Sequence, residues 1–314
     1  MTKTNELVLD QNIIEKNFKV VKSLCEGPYG NTDLICDNEG NYVVRKRFNI
    51  SLLSDFERDL CLNEIEIISK IDHPFIVKYI YSYIDRKYLC ILTEYCKGGD
   101  LHKYIAYRRK INKPIREERI LIWLVQLLSA LKFLHKRYTL HRDLKTLNIL
   151  IDSNKNLKIC DFGVSKSLNR TSDNTSTLIG TPYYFSPELV NGLSYGFPSD
   201  IWALGCIVYE LCTFRTPFHN AKGIVELTRL INEQKVPDLP PAYSKELNAL
   251  YRSMMFHDLK YRLTAGELIS TDLLQRVVKK MIKEASLKNK NRNEDTIYEL
   301  ERYIVSKSIT TGDK

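Results

Sequence analysis

The sequence predicts an α+β protein in two parts, a small antiparallel β-sheet carrying one main helix followed by a larger helical region. Three observations predict it. Residues 18–50 alternate apolar and polar side chains between turn signals at Gly27-Pro28, Gly30-Asn31 and Asn38–Asn41, the pattern of successive short strands. Gly98-Gly99 marks a connector after that region. Beyond it, residues 117–137 and 200–213 are apolar nearly all round, as helices are when they lie inside a helical domain rather than on its surface.

Between these landmarks the chain reads as one helix over 55–70 and two strands over 76–84 and 88–94. With 314 residues, 44% hydrophobic and 27% charged, it is long enough for two parts with substantial cores. The N-terminal M-T-K-T-N-E-L-V-L-D-Q-N lacks the uninterrupted apolar stretch of a secretory signal. A cytoplasmic or nuclear location is therefore expected. The most apolar stretch, Ile120–Leu134, is broken by Gln126, Ser129 and Lys132 and falls short of the roughly 18 residues that span a bilayer. It reads as a buried helix, and no membrane partner is expected. Eight cysteines are scattered singly with no C-x-x-C pair, which indicates neither a disulfide framework nor a zinc site.

The formal charge of +9 is concentrated in part between Arg276 and Arg292, where seven cations stand against Glu284 alone. Such a run is a solvated face or a surface for an acidic partner; no nucleic-acid partner is expected. Further on, Ile297, Leu300, Ile304 and Val305 return to helical spacing. That segment reads either as a docking element or as a helix packed on its own domain.

Phosphoryl transfer needs cations on the phosphates, a carboxylate that orients the attacking hydroxyl, and metal-holding oxygen ligands. The sequence offers these in order. H-R-D-L-K-T-L-N at 141–148 places Asp143 five residues before Asn148, and D-F-G at 161–163 begins thirteen residues later. In Y-V-V-R-K, strand alternation puts Val44 and Lys46 on one face and Val43 and Arg45 on the other.

Taken together, these motifs resemble the protein kinases over residues 18–274. The resemblance implies the two-lobed protein kinase fold, with an extension at 1–17, an N-lobe and hinge at 18–96, a C-lobe at 97–275 and a basic tail with a short amphipathic helix at 276–314. It implies Mg-ATP as cofactor and proteins as substrates. Asp143 would be the catalytic base, with Asn148 and Asp161 holding Mg²⁺ and His141 and Phe162 packing. Lys145 would sit on the transferred phosphate, which favours Ser or Thr hydroxyls. Lys46 would meet the α- and β-phosphates and pair with Glu64. Glu94-Tyr95-Cys96 would be the hinge, Thr93 the gatekeeper, and Asp100 the ribose contact; Val44 and Leu150 would also border the nucleotide.

G-T-P-Y-Y-F-S-P-E at 180–188 resembles the end of an activation segment, with Glu188 expected to pair with Arg262, and Asp200 in D-I-W-A-L-G-C is the expected anchor of the catalytic-loop backbone. Together with S-D-I-W-A-L-G-C-I-V-Y-E-L-C-T and H-R-D-L-K-T, this wording is similar to the NIMA-related (NEK) serine/threonine kinases.

The chain departs from that pattern at the nucleotide roof. Cys25, Gly27, Gly30 and Thr32 occupy the positions of G-x-G-x-x-G-x-V, so one glycine is missing and the valine is replaced. Pro28 at the loop tip has no N–H to give a phosphate. Val44 stands where alanine is usual, and Leu147 replaces a polar residue. A nucleotide-binding pseudokinase or scaffold is the alternative, against which Lys46, Glu64, Asp143, Asn148 and Asp161 are all present. Thr177, four residues before Thr181, aligns with the NEK activating phosphosite, where Arg142 and Lys166 would pair with the phosphate. The tail offers one short amphipathic stretch, under the several heptads that a coiled coil needs, so a monomer is expected.

Overall fold

The computed structural model describes residues 18–27, 30–51, 53–161, 182–233 and 236–288, with the backbone alone for Leu60, Glu64, Leu287 and Lys288. The described chain divides into two units. One runs to Asp72 and resumes over Ile76–Lys97; the other takes His73–Phe75 and the chain from Gly98 onward.

The first unit is a five-stranded antiparallel sheet in the order β1-β2-β3-β5-β4, with β1 Lys19–Gly27, β2 Gly30–Cys36, β3 Tyr42–Asn49, β4 Tyr79–Asp85 and β5 Tyr88–Glu94. Helix α1, Asp55–Ser69, follows β3. Ser54 starts it with a capping box: its hydroxyl accepts from Glu57 N, and the Glu57 carboxylate accepts from Ser54 N at 2.7 Å. Alternation along β5 divides the sheet's two faces. Leu89 and Ile91 pack with Cys61 and Ile65 of α1, while Cys90 and Leu92 pack with Ile35 and Tyr83 on the other side. Gly30 is glycine for a local reason: a Cβ there would lie 1.6 Å from the Arg47 carbonyl oxygen across the β2–β3 ladder.

The second unit is helical around a small hairpin. Its elements are α2 Leu101–Lys110, α3 Glu117–His135, β6 Ile149–Ile151, β7 Leu157–Ile159, α4 Pro187–Val190, α5 Phe197–Thr213, α6 Ile224–Asn232, α7 Lys245–Met254, α8 Ala265–Ile269 and α9 Asp272–Lys288. Helix α3 is buried through Ile120, Trp123, Leu124, Leu127, Leu128 and Leu131. Two of the polar residues that break its apolar run are internal connectors. The Gln126 side chain donates to Asn156 Oδ1 at 2.8 Å and accepts from Leu157 N at 2.9 Å, and the Ser129 hydroxyl lies 3.1 Å from His73 Nε2. No described helix is long and apolar enough to cross a membrane. The eight cysteines are all free thiols, six of them buried.

Element boundaries differ from the sequence reading at three places. Strand β4 begins at Tyr79, not at residue 76; Phe75 and Ile76 are buried, and the Phe75 carbonyl accepts from Ile159 N at 2.9 Å instead of joining the five-stranded sheet. An apolar run alone could not separate the two. Helix α5 starts at Phe197, ahead of residue 200, because Pro198 sits in its first turn, where a missing N–H leaves no bond unmade. The basic stretch beyond residue 275 is largely the outer face of α9, which buries Leu274 and Val278 while exposing Arg276, Lys279, Lys280 and Lys283.

An ion pair ties α4 to the loop before α8. Arg262, whose side chain is 0% exposed, holds Glu188 in a fork of 2.8 and 3.1 Å, as the sequence led us to expect. Arg262 also donates to the Pro198 and Phe256 carbonyls, each at 2.9 Å, and its guanidinium lies over the Trp202 ring. Removing one partner of such a pair leaves an uncompensated buried charge. Arg262→Met should therefore cost about 3–5 kcal/mol in urea denaturation, and Arg262→Met with Glu188→Leu should cost less than the single change.

Candidate active site

The loop at 141–148 is shaped by a carboxylate that follows it by more than fifty residues. Asp200, 0% exposed in the first turn of α5, accepts from the backbone N–H of His141 at 3.1 Å and of Arg142 at 3.2 Å. His135 Nε2 lies 2.8 Å from Oδ2, the oxygen that accepts from His141, and the Tyr195 hydroxyl donates to Oδ1 at 2.5 Å. Burial pushes the Asp200 pKa up, but the His135 bond, the neighbouring imidazoles and Tyr195 outweigh it, leaving the pKa below the usual carboxylate value. With both peptide N–H groups fixed, Arg142 is held at φ 68°, a left-handed conformation uncommon for a side chain of its size.

His141 is itself a strut. Its Nδ1 accepts from Asp143 N at 3.3 Å, so the proton sits on Nε2, which donates to the Cys160 carbonyl at 3.0 Å. That bond joins the loop to the strand end before Asp161, and Cys160 N donates back to the Asn148 carbonyl at 3.0 Å.

These supports bring Asp143, Lys145 and Asn148 together. The Asp143 carboxylate takes Lys145 Nζ at 2.8 Å and Asn148 Nδ2 at 2.8 Å, and Asn148 Nδ2 also donates to the Asp143 carbonyl at 2.8 Å. Asp143 keeps 45% of its side chain exposed while Asn148 is buried, so the carboxylate is the accessible member. Because the Asn148 amide nitrogen is committed to Asp143, the amide oxygen is the atom it can offer a hard cation. Asp161 follows β7 with φ 62°, a second left-handed non-glycine residue at the site. Leu150 pairs with Asp100 in an isolated bridge, and Gly98 N and Gly99 O bond Ile151 at 2.8 Å each, so the start of α2 is stitched to β6.

Asp100 is used locally: it caps α2 by accepting from Lys103 N at 2.7 Å and pairs with Lys103 Nζ at 3.0 Å. Lys103 is 82% exposed, so the second contact exchanges readily with solvent or a ligand.

In the first unit, ladder register sets the expected residues in rows. Cys25 faces Thr32, Thr32 faces Lys46 and Lys46 faces Ile91; one step along, Val44 faces Leu34 and Thr93. Cross-strand partners share a face, so Thr32, Val44, Lys46 and Thr93 lie on the face that packs against α1. Glu94 Oε1 accepts from Lys78 N at 2.7 Å, and Cys96 is buried. Glu64 lies on α1, but its side chain is outside the described residues, as are Pro28, Phe162, Lys166, Thr177 and Thr181.

The sequence reading did not find a further buried carboxylate beside Asp200 and Glu188. Glu210 on α5 accepts from the Tyr184 hydroxyl at 2.5 Å and from the Thr146 hydroxyl at 3.4 Å, with His102 Nδ1 3.9 Å away. Burial raises its pKa, and the Tyr184 and Thr146 bonds oppose that rise. Thr146 belongs to the 141–148 loop and Tyr184 to the G-T-P-Y-Y-F-S-P-E segment, so Glu210 joins the two. A signal was available: a glutamate in an otherwise apolar helix is buried only when paired.

Two buried imidazoles make the fold sensitive to acid. Burial, with the nearby Lys158 and Arg137 charges, lowers His73 to about 3, and burial lowers His141. In the unfolded chain both titrate near their ordinary value of about 6.5, so the unfolded state binds more protons below that pH. Stability is therefore undiminished above about pH 6.5 and falls below it, by up to about 1.4 kcal/mol per pH unit for each histidine. Urea midpoints measured from pH 7 to pH 5 should decline, and His73→Gln should flatten the slope.

The protein kinase domain matches residues 18–274. Over 288 residues the chain is 34% identical to serine/threonine-protein kinase Nek11 of Homo sapiens, covering 90% of this chain and 44% of that protein. It is 36% identical over 262 residues to serine/threonine-protein kinase Nek6 of Oryza sativa subsp. japonica, covering 83% and 48%. Serine/threonine-protein kinase Nek2 of Homo sapiens is 35% identical over 271 residues, covering 84% and 61%. The chain thus spans about half the length of the curated relatives it matches. With a sheet-plus-helix first unit, a helical second unit and an H-R-D loop held by a buried aspartate, the chain belongs to the protein kinase domain family and is similar within it to the Nek serine/threonine kinases.

Proposed function

We propose that the chain is a serine/threonine protein kinase that transfers the γ-phosphate of Mg-ATP to hydroxyls of protein substrates. The observation that carries this reading is the Asp143 carboxylate, exposed yet steered by Lys145 and Asn148 on a loop pinned by Asp200. Asp143 orients the attacking hydroxyl and accepts its proton, and Lys145 sets a cation beside the transferred group. Asn148 Oδ1 and the Asp161 carboxylate are hard oxygen ligands, the type that fits Mg²⁺, which uses one or two protein ligands and keeps the rest of its shell in water and phosphate. Asn148 and Asp161 would hold such an ion, which would supply charge neutralisation on the phosphates.

In the first unit Lys46 meets the α- and β-phosphates, with Glu64 as its partner. Cys25, Gly27, Gly30, Thr32, Val44, Thr93, Glu94 and Cys96 border the nucleotide, as do Leu150 and Asp100 of the second unit. Asp100 keeps its α2 cap through Oδ1 and offers Oδ2 to the ribose. Pro28 removes one phosphate donor, a loss worth about 1.5–3 kcal/mol at most. Phosphate on Thr177, held by Arg142 and Lys166, activates the enzyme by ordering its loop. The protein acts as a cytoplasmic or nuclear monomer.

Radiolabelled Mg-ATP incubated with a peptide library tests the reading. Transfer to Ser and Thr peptides is expected, reduced about 10²- to 10⁴-fold in Asp143→Asn, with phosphate on Thr177 of the parent chain by mass spectrometry. Nucleotide binding without transfer in the parent would instead favour a pseudokinase.

A further inference from the structure

We propose that residues 294–305 fold back as an amphipathic helix into the groove between α3 and α9 of the same chain. The groove, of about 420 Å³, has an apolar floor of Leu121 and Ile122 from α3 and Leu273, Val277 and Met281 from α9. All but Leu121 are only partly buried, so the floor has apolar surface left to cover. On the α3 side the acids already have partners: Glu117 caps α7 through Ser244 N at 2.7 Å, and Glu118 pairs with Lys280. On the α9 side Arg276 pairs with Glu246 at 2.6 Å and Lys280 with Glu118, Glu284 lies beside them, and Lys279 and Lys283 are exposed on α9 beyond the groove lining, so the helix as a whole is cationic.

The chain supplies a matching occupant directly after α9. Ile297, Leu300 and Ile304 recur at helical spacing, with Val305 beside them, and the segment carries Glu294, Asp295, Glu299 and Glu301 against Arg302 alone. Its charge is opposite to that of α9. Between Lys288 and Glu294 lie Asn289, Lys290, Asn291, Arg292 and Asn293, five residues rich in the turn-former asparagine and within the 2–8 that connect antiparallel helices. At 1.5 Å per residue the segment is about 18 Å long, shorter than the α9 face it would cover, at about 25 Å. A return at 289–293 sets Leu300 abreast of Met281, Ile304 abreast of Val277 and Glu301 abreast of Lys280. The sequence alone fits either a docking element or a helix packed on its own domain; groove, charge and connector length favour the second.

A helix of this length is not stable alone in water, so protection of its amides reports docking. Hydrogen exchange on the full chain is the test. We expect residues 297–305 to exchange at least roughly tenfold more slowly than an unstructured peptide. Leu300→Asp with Ile304→Asp should abolish that protection and speed exchange of residues 273–284. These two changes lie outside the described core, so the fold is not at risk, and Val277→Asp should release the segment from the groove side. Three results would overturn the proposal: unprotected exchange in the parent, protection that survives both variants, or protection that rises with concentration alongside a dimer in sedimentation, which would make the occupant a second copy.

Discussion

Asp200 carries a negative charge at a point without solvent exposure, and the second unit is arranged around the donors that keep it ionised. An isolated carboxylate moved into a protein interior would protonate. Here two peptide N–H groups, an imidazole and a phenol converge on two oxygens. The cost of burial becomes a geometric constraint, because each donor must hold its position to keep the charge satisfied. Two of those donors are consecutive peptide groups of the loop that carries Asp143, so the constraint is delivered directly to the accessible carboxylate.

Two further buried carboxylates, Glu188 on α4 and Glu210 on α5, extend the same device. Burial raises the Glu188 pKa, but the Arg262 and Ser199 bonds bring it below the ordinary value. Through Glu188 the end of the 180–188 segment is anchored to Arg262 and α5. Through Glu210 and Tyr184 the middle of that segment is joined to Thr146. Three acids, two of them ten residues apart on α5, thus link the loop at 141–148 with the segment resembling the end of an activation loop. A surface ion pair could not do this, since exposed pairs contribute little and tolerate many geometries.

What was legible in the sequence follows from the range of each interaction. Asp143, Lys145 and Asn148 lie within one eight-residue motif, so their proximity could be read from spacing. Asp200 and the Glu188–Arg262 pair are distant in sequence and became legible only through resemblance to a family whose wording they share. Tyr195, His135, His102 and Tyr184 escaped because nothing in linear order marks a side chain that arrives from another element. The Asp100 cap was readable as an N-cap aspartate before a helix but was assigned to the nucleotide alone. In the first unit, the alternation that placed Val44 and Lys46 on one face is a period-2 rule that packing did not override, whereas the start of β4 depended on where the Phe75 carbonyl found its donor.

The Asp200 charge holds the loop bearing Asp143. The most direct measurement is NMR amide exchange at His141 and Arg142 in the parent chain and in Asp200→Asn, which preserves shape and removes the charge. Both amides should exchange roughly tenfold or more faster in the variant, while those of Leu250 and Tyr251 in α7 keep their parent rates. Unchanged protection at His141 and Arg142 would show that the loop holds its form without Asp200 and would contradict the account.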